Sequence, residues 1–574
     1  MKIFDADISL FLIDFFNIHF LKIKSFQNFN VFLREISGIE SFFRDPEEFV
    51  AFKCEIEEYQ SLLKEPNRRA YGDFQTNERL ADRVIQYLIE NGTSPEILVE
   101  PTCGKGTFIL SALKHFQALK KIVGIEIYYP YVWETKFKIL ELYLKNESIS
   151  KVHIEIIHAD IFDYDLTSIL KESEESNLLV IGNPPWVTNS ELGILNANNL
   201  PKKSNFKKYS GIDAITGKGN FDIAEYITLK IFNQLSGHTG SLAFLVKNSV
   251  VKNILFDQKK LKYKIKGLQQ LNINAKKEFN VSVDACLFLA EFDSNPEFIC
   301  KETDFYSREN ITKFGWWEDK FVYSIIHYKK AKSIDGESPF IWRQGMKHDC
   351  SKIMELDKFN GHYINGFKEE VDPEAHLLFG ILKSSDLKEI LVDKYRKTTI
   401  VTQRKIGQDT SYIKRDYPKT YEYLNANREF FDKRKSSIYR GKPPFSIFGI
   451  GDYSFSKYKI AISGMYKRTT FSLVVPENDK PLMLDDTCYF IGFDSLEMAQ
   501  VAQEILNDEV VQNFLRSIIF PNAKRPITKD VLMRIDIQKA YDFISMDKDI
   551  RGQWKEFGEL LKLKNKTSAQ MTLF

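Results

Sequence analysis

Cysteine is scarce in this 574-residue chain, and no Cys-x-x-Cys pair occurs. The six cysteines stand far apart, at positions 54, 103, 286, 300, 350 and 488. Neither a disulfide framework nor a zinc framework is therefore expected, and the pattern is typical of a protein with reduced thiols.

A strong charge of one sign is also missing, because the formal net charge is only +2. Any surface that binds nucleic acid must therefore be a local basic patch. The N-terminal stretch MKIFDADISLFLIDFF is apolar in places, but Asp5, Asp7 and Asp14 interrupt it. We expect neither a signal peptide nor a membrane span, which predicts a cytoplasmic protein without membrane contact.

The length exceeds what one hydrophobic core supports, so several domains are expected. Residues 1–66 predict a helical N-terminal extension. Within 67–295, short β-rich runs alternate with helical stretches, which predicts an α/β domain with a mostly parallel sheet. The runs IKGLQQLNI and DACLFLAEF have no obvious helix between them and predict an antiparallel hairpin at the sheet edge. Residues 296–574 lack clear periodicity and predict a separate, mixed α+β domain.

A glycine-containing turn follows the first β-rich run, in ILVEPTCGKGTFILSAL. Gly104 and Gly106 allow a tight turn and close approach of a ligand, and the next helix directs its N–H groups to the same place. Ligands of α/β sheets bind beyond the carboxyl ends of the strands. The turn has no third glycine and is not a phosphate-binding G-x-x-x-x-G-K-[ST] loop. A plain tight turn is the alternative interpretation.

Acidic residues end the next two predicted strands. KIVGIEI brings Glu126 and Ile127 about 20 residues after Gly106, where a carboxylate commonly binds ribose hydroxyls. HIEIIHADIF brings Asp160 and Ile161, which suit the amino group and ring of adenine. Each carboxylate alone is equally typical of a solvated strand end. The glycine turn, Glu126 and Asp160 follow one another at three successive strand ends, however, and this order favours a nucleoside ligand.

The fourth run, NLLVIGN, leads directly into Asn183-Pro184-Pro185-Trp186. Proline cannot extend a sheet ladder, so this segment predicts a stiff loop at a strand end. The motif resembles [DNS]-P-P-[YFW] of S-adenosyl-L-methionine-dependent amino-methyltransferases. Asn183 and the motif order resemble the gamma class of N6-adenine DNA methyltransferases. The alternative is a Pro-Pro loop that arose by chance.

The resemblance covers residues 71–292 and implies a Rossmann-like fold, S-adenosyl-L-methionine as cofactor and a flipped adenine as substrate. The adenine amino group is a poor nucleophile, because its lone pair is delocalised into the ring. The side-chain oxygen of Asn183 and the carbonyl of Pro184 would accept its two N–H bonds, while Pro185 stiffens the loop and Trp186 stacks on the base.

The resemblance also implies further site residues. Phe279 would stack on the base opposite Trp186, although a core phenylalanine is the alternative. Thr76 or Asn77 would cap the following helix. Phe221 and Asp222 would lie near the cofactor. The residues implied to bind the cofactor are Tyr71, Phe74, Gln75, Thr76, Glu100, Pro101, Gly104, Gly106, Glu126, Ile127, Asp160, Ile161 and Asn183. A metal is not expected.

Basic and aromatic residues are interleaved in the C-terminal domain. The segment 430–468 contains nine Lys or Arg against two Asp, which suits phosphate contact. The residues predicted to bind DNA are Arg343, Gln344, Lys347, Lys433, Arg434, Lys435, Arg440 and Lys442. A solvated basic surface is the alternative.

The sequence therefore predicts a cytoplasmic, nucleoid-associated bacterial monomer that methylates duplex DNA, with a C-terminal target-recognition domain. A cognate restriction endonuclease is the expected functional partner. The alternatives are methylation of RNA adenine, methylation of a protein glutamine amide, and a non-catalytic DNA-binding module.

Overall fold

The computed structural model describes residues 2–57, 75–170, 177–187, 222–235, 238–292, 295–521, 525–546 and 552–571. Tyr71, Phe74 and Phe221, which were expected at the cofactor site, lie outside the described residues. The chain divides into two compact units, Met1–Phe321 and Val322–Phe574. None of the helices in the described ranges is long and apolar enough to cross a membrane.

The elements of the first unit alternate between strand and helix after an N-terminal helical segment. Its described helices are α1 Leu10–Lys22, α2 Phe26–Ser37, α3 Pro46–Glu57, α4 Glu78–Glu90, α5 Thr107–His115, α6 Tyr129–Lys145, α7 Thr167–Leu170, α8 Ile223–Leu235, α9 Asn248–Leu261 and α10 Ala275–Phe279. Its described strands are β1 Lys2–Ile3, β2 Ala6–Asp7, β3 Ile97–Glu100, β4 Lys121–Glu126, β5 His153–His158, β6 Leu178–Gly182, β7 Gly240–Lys247, β8 Ile265–Ile273, β9 Ala285–Phe292, β10 Ile299–Asp304, β11 Thr312–Trp317 and β12 Lys320–Val322.

A ten-stranded sheet forms the centre of this unit, in the order β12-β11-β10-β8-β9-β7-β6-β3-β4-β5. Strands β3 to β7 all run parallel to their neighbours within this group. Every residue of β3 and β6 is buried, as expected of parallel strands covered on both faces. The predicted α/β fold with a mostly parallel sheet is confirmed. The carboxyl ends of β3 to β7 meet at one edge, where ligands of such sheets bind.

The hairpin of β8 and β9 is confirmed, but its predicted place at the sheet edge is wrong. Strand β9 lies between β7 and β8, and β10 pairs in parallel with β8. Strand β11 then pairs with β10. These added strands satisfy the hydrogen-bonding groups that β8 would otherwise expose. The first unit therefore ends at Phe321, whereas the sequence placed a boundary at 295.

The N-terminal helical segment belongs to the first unit and packs on α6 through aromatic side chains. The rings of Phe52 and Trp133 stack with centroids 5.4 Å apart. The buried ammonium of Lys136 donates to the carbonyl oxygens of Ser41 at 3.2 Å and Phe42 at 2.7 Å. Aromatic packing and these two hydrogen bonds explain why a phenylalanine-rich segment precedes the α/β domain.

The second unit combines helices with two sheets, which confirms the mixed α+β prediction. The sheets have the orders β13-β23-β20-β21-β18 and β16-β15-β14-β19-β17-β22. The described helices are α11 Ile325–Ala331, α12 Ser351–Met354, α13 Tyr412–Asp416, α14 Pro418–Ala426, α15 Arg428–Asp432, α16 Leu496–Asn507, α17 Glu509–Ile518, α18 Lys529–Met533, α19 Ile537–Ser545 and α20 Gln553–Met571. The strands are β13 Arg343–Gln344, β14 Glu355–Phe359, β15 His362–Ile364, β16 Glu370–Val371, β17 Leu378–Leu382, β18 Leu391–Val392, β19 Lys397–Ile400, β20 Tyr458–Ser463, β21 Ser472–Val474, β22 Met483–Leu484 and β23 Cys488–Phe493.

A buried lysine lies in β20 of this unit. Lys459 is 1% exposed, and its ammonium donates to the carbonyl oxygen of Ser456 at 2.7 Å. Burial lowers the pKa of Lys459 to about 7. The folded state therefore disfavours the charged form, whereas the unfolded chain has the ordinary lysine pKa near 10.4.

We expect Lys459→Met to stabilise the second unit, by on the order of 3 kcal/mol at pH 7. Below pH 7 both states of the wild type are protonated, so the folded state bears the whole cost of a buried charge. This cost falls as the pH rises from 7 toward 10.5 and then vanishes. Thermal unfolding should show the largest difference in the free energy of unfolding between variant and wild type near pH 6.5. Lys457→Met removes a surface lysine paired with Asp479 and should change little. If the variant and the wild type differ in stability by the same amount at every pH, Lys459 does not have a lowered pKa in the folded state.

Candidate active site

Two glycines in left-handed conformations form the turn between β3 and α5. Gly104 has φ +51° and Gly106 has φ +74°. A Cβ atom on Gly106 would lie 2.6 Å from Cγ2 of Thr135, and one on Gly104 would lie 3.1 Å from the amide of Gln75. Both positions thus require glycine, in agreement with the tight turn that the sequence predicts here.

The carboxylate of Glu126 ties the end of β4 to this turn. Its Oε2 accepts the N–H of Gly104 at 2.8 Å, and its Oε1 accepts the N–H of Tyr128 at 2.7 Å. Gln75 Oε1 accepts the N–H of Lys105 at 3.4 Å. The structure thus brings Gln75, the glycine turn and Glu126 together, as the sequence predicts.

Buried oxygen atoms beside the turn fit a polar ligand. Among the described residues, Glu100 Oε2 and Thr102 Oγ1 have no hydrogen-bond partner. Burial raises the pKa of Glu100 well above its usual range, and the nearby charge of Glu126 raises it further. Buried polar atoms are normally paired, so these oxygens suit the amino and hydroxyl donors of a bound cofactor. Pro101, which lies between them, is buried at the start of the turn.

Asp160 follows the end of β5 and is half-buried. Its Oδ1 accepts the N–H of Phe162 at 2.8 Å. Burial raises the pKa of Asp160. Lys230 of α8 donates to the carbonyl oxygens of Ile161 at 2.6 Å and Phe162 at 2.8 Å, and so holds this loop. Lys230 could not be predicted, because nothing in the helical pattern shows which lysine contacts a distant loop.

Two other predicted cofactor residues differ in exposure. Ile161 is 6% exposed and packs inside the unit, whereas Ile127, directly after β4, is 39% exposed. Only Ile127 therefore presents a large apolar surface to a ligand at this strand end.

The catalytic-type loop begins at Asn183, directly after β6. The amide nitrogen of Asn183 donates to Thr76 Oγ1 at 3.2 Å, and this contact orients the side chain. Thr76 adjoins Asn77, whose Oδ1 accepts the N–H of Leu80 at 2.8 Å and begins α4. The predicted cofactor segment and the Asn-Pro-Pro-Trp loop therefore meet through Asn183 and Thr76. Pro184 is buried and Pro185 is half-buried.

An ion pair between a half-buried lysine and a buried aspartate holds the other side of the loop. The ammonium of Lys247, at the end of β7, donates to the carbonyl oxygen of Trp186 at 3.3 Å and pairs with the Asp222 carboxylate. Burial raises the pKa of Asp222, and the charge of Lys247 opposes this effect. The N–H of Ile223 donates to the carbonyl of Val187 at 2.9 Å. Lys247 was not among the predicted site residues, although a lysine at the end of the apolar run GSLAFLVK is a visible signal.

Trp186 and Phe279 contact each other directly. Trp186 is 6% exposed, and its indole N–H donates to the carbonyl oxygen of Leu245 at 3.1 Å. The two rings form an edge-to-face pair with centroids 4.9 Å apart. A base stacked between them would need roughly 7 Å, which is two stacking layers of about 3.4 Å. The structure brings the two predicted rings together, but one of them must move before a base can lie between them.

Three of the predicted DNA-binding residues, Arg343, Gln344 and Lys347, lie in the second unit, on and after β13. The guanidinium of Arg343 lies 4.8 Å from the ring centre of Tyr453. Gln344 Nε2 donates to the carbonyl oxygen of Asp486 at 2.6 Å. Lys347 Nζ lies 3.6 Å from Asp349 Oδ1 and 3.9 Å from Asp486 Oδ2. All three side chains therefore have contacts within the unit.

The basic residues near α15 differ in their surroundings. Lys433 pairs with Glu429 at 2.8 Å, one helical turn away. Arg434 donates to the carbonyl oxygens of Phe431, His348 and Ser446, at 3.0, 3.2 and 2.7 Å. Arg434 therefore stabilises the fold, a role that the sequence did not indicate. Lys435, Arg440 and Lys442 are exposed.

Comparison with known proteins identifies the family. A family model described as N-6 DNA Methylase matches residues 58–268. The chain is 39% identical over 476 residues to Type II methyltransferase M.NspV of Nostoc sp. (strain ATCC 29411 / PCC 7524), across 83% of this chain and 98% of that relative. The chain belongs to the N-6 DNA methylase family. It is an N6-adenine DNA methyltransferase that uses S-adenosyl-L-methionine, so the predicted family, enzyme class and cofactor are confirmed.

Solved structures also resemble this methyltransferase. The Type IIL restriction-modification enzyme MmeI, in complex with DNA, aligns with 92% of this chain and 82% of that chain, with a TM-score of 0.49 and 12% identity. A type I restriction-modification methyltransferase subunit from Streptococcus thermophilus aligns with 45% of this chain and 51% of that chain, with a TM-score of 0.29 and 16% identity.

For this methyltransferase, we expect Lys247→Met to lower turnover roughly 10- to 100-fold, because catalysis depends on the exact placement of the reacting groups. The variant loses the contact with the Trp186 carbonyl and leaves Asp222 without its ammonium. Steady-state kinetics and calorimetry with S-adenosyl-L-methionine should show a lower kcat with little change in cofactor affinity.

Two variants control this experiment. Lys247→Arg keeps a cation near Asp222 and should recover part of the activity. Lys259→Met removes an exposed lysine that lies 4.4 Å from the ring centre of Trp316, away from the loop, and should leave kcat unchanged. Equal losses of turnover and cofactor affinity in Lys247→Met would contradict a role in placing the catalytic loop.

Proposed function

We propose that this methyltransferase modifies N6 of one adenine, turned out of a specific site in duplex DNA, as the modification enzyme of a restriction–modification system. The observation that carries the proposal is the contact between Asn183 and Thr76, which joins the Asn-Pro-Pro-Trp loop to the predicted cofactor segment. The name of its relative, a Type II methyltransferase, supports the biological setting.

The residues at the carboxyl ends of β3 to β6 fit the cofactor. The turn at Gly104 and Gly106 leaves room for close approach, and the first N–H groups of α5 point into it. The carboxylates of Glu126 and Asp160 retain lone pairs for the ribose hydroxyls and the adenine amino group. When bound, S-adenosyl-L-methionine supplies an electrophilic methyl group on its sulfonium centre.

The chain's own contribution to methyl transfer is orientation of the target amino group. Asn183 Oδ1 and the carbonyl oxygen of Pro184 accept its two N–H bonds, which draws the nitrogen toward a pyramidal shape and directs its lone pair. A neutral amide and a peptide carbonyl do not remove a proton before the attack, so the gain is geometric and electrostatic. The methylated nitrogen then releases its extra proton to solvent. The donation from Asn183 Nδ2 to Thr76 keeps the amide in the orientation that this role requires.

The target base would stack on Trp186 once Phe279 moves away. Extrusion of the base costs a few kcal/mol, and stacking on an aromatic ring returns about 1–3 kcal/mol. In the second unit, we assign phosphate contacts to the exposed Lys435, Arg440 and Lys442, and base reading to Arg343 and Gln344. The enzyme acts as a cytoplasmic monomer, and a restriction endonuclease of the same specificity is its functional partner.

Transfer of labelled methyl groups tests the substrate class. The purified protein is incubated with labelled S-adenosyl-L-methionine and duplex DNA, RNA or a glutamine-bearing protein. We expect label only in duplex DNA, as N6-methyladenine, and about 10²- to 10³-fold less of it with Asn183→Ala. Label in RNA or protein alone would contradict the proposal. Sequencing of methylated DNA from a host that expresses the protein then gives the recognised site.

A further inference from the structure

A basic cleft lies in the second unit between α15 and the loop 434–445. Its volume is about 220 Å³, and its wall carries Arg428, Arg434, Arg440 and Lys442 with a single carboxylate, Asp432. Ser436 also lines it. Four cations against one acid make this a local positive site on a chain whose net charge is only +2.

Hydrogen bonds hold the walls of the cleft in place. Tyr439 donates to the carbonyl oxygen of Lys347 at 3.1 Å. Thr410 donates to the carbonyl oxygen of Pro444 at 2.6 Å, and Thr402 donates to that of Phe445 at 2.8 Å. Because the loop is already ordered, a ligand that binds here loses little entropy in fixing it.

The four cations are not equally available. Arg434 is occupied by three backbone carbonyls, and its guanidinium lies 3.7 Å from the ring centre of Tyr439. Arg428 lies 3.7 Å from Asp432, a loose pair of exposed side chains. Arg440 and Lys442 are exposed, and no described acidic residue forms an ion pair with either of them. These two cations are the ones that can bind an external anion.

We infer that this cleft binds one phosphodiester group of the DNA backbone, through Arg440 and Lys442 with the Ser436 hydroxyl as an added donor. The inference rests on the proposed function, because the ligand is the DNA substrate. The volume suits one phosphate group and is small for a whole nucleotide-sized ligand. Since both cations contact the same phosphate, they act as one binding unit.

Only some basic residues of the segment 430–468 belong to this phosphate site. Lys433 is paired with Glu429, and Arg434 supports the loop, so neither belongs to the anion-binding unit. Loss of Arg434 should disturb folding, whereas loss of Arg440 or Lys442 should affect only DNA binding.

The test measures DNA binding at a series of salt concentrations. The proteins are the full-length wild type, Arg440→Ala, Lys442→Ala and the double variant. Each is titrated with a duplex that contains the sequence recognised by the enzyme and with one that lacks it. Each phosphate contact contributes about 0.9 to the slope of log K against log salt. We expect the double variant to lose about one unit of slope, not two, because both cations share one phosphate. It should bind both duplexes roughly eightfold more weakly at 0.1 M salt. Lys433→Ala is the matched control and should match the wild type.

Inorganic phosphate separates a DNA site from a site for free anions. Thermal unfolding is measured in phosphate and in chloride at equal ionic strength, for the wild type and the double variant. If phosphate stabilises only the wild type while the DNA salt slopes of the two proteins are equal, the cleft binds free anions and the inference is overturned. A two-unit loss of slope in the double variant would also overturn it, because it would mean two separate phosphates. If the wild type neither binds nor methylates duplex DNA, the proposed function fails instead.

Discussion

Replacement of Asn183 by alanine is expected to lower methyl transfer about 10²- to 10³-fold while S-adenosyl-L-methionine still binds. The estimate corresponds to the loss of one preorganised polar group that contacts the reacting centre. Asn183 Oδ1 is buried, and its side chain is oriented by the bond to Thr76 Oγ1. Alanine removes the acceptor and leaves the glycine turn and Glu126 untouched, so the effect should fall on kcat.

Two matched variants sharpen this experiment. Asn183→Asp keeps an oxygen that can accept an N–H bond and should retain part of the activity. Thr76→Val removes only the group that orients the amide and should cause a smaller loss than Asn183→Ala. Methyl-transfer kinetics and calorimetry with S-adenosyl-L-methionine provide the readouts. Near-normal turnover of Asn183→Ala would show that another residue orients the target amino group.

Replacement of Glu126 by alanine is expected to weaken cofactor binding by about 1.5–3 kcal/mol, the range for a hydrogen bond to a charged group. This corresponds to roughly 10- to 150-fold in affinity. The structure adds a second reason for a large effect. Alanine also leaves the N–H groups of Gly104 and Tyr128 without their acceptor, which loosens the turn that approaches the cofactor.

Calorimetry with S-adenosyl-L-methionine measures this loss directly. Glu141→Ala is a suitable control, because Glu141 lies on α6 and pairs with Lys145 at the surface. It should leave the cofactor affinity unchanged, since exposed pairs contribute little. If Glu126→Ala binds the cofactor as tightly as the wild type, the ribose contact belongs to another residue.

Local sequence was sufficient for the features that depend on neighbouring residues. The burial of β3 and β6 follows from apolar runs, and the positive φ angles of Gly104 and Gly106 follow from a strand–turn–helix pattern that needs glycine. Two prolines directly after a buried strand also predicted a stiff loop from Asn183 to Trp186. The reaction was named through the resemblance of this motif, and of the motif order, to a known methyltransferase family.

Contacts between distant residues could not be derived from the sequence. Lys247 meets Asp222 and the Trp186 carbonyl only because β7 lies beside β6 in the sheet. The pairing of β10 with β8, which moved the hairpin inside the sheet, depends on hydrogen bonds between segments that the pattern does not link. No local sequence pattern shows which strand will form hydrogen bonds with the free edge of another strand.

The basic stretch near α15 shows the same division. Its composition determined that a positive surface would exist, because charged side chains in such number cannot all be buried. Only the tertiary structure decided that Arg434 supports backbone carbonyls while Arg440 and Lys442 remain exposed. Likewise, the sequence by itself determined that Trp186 and Phe279 were candidate stacking rings, but their direct contact depends on the folding of α10 against the catalytic loop. The reason is that composition and local pattern limit which residue types are available, whereas exposure, pairing and ring contact depend on what the rest of the chain brings next to them.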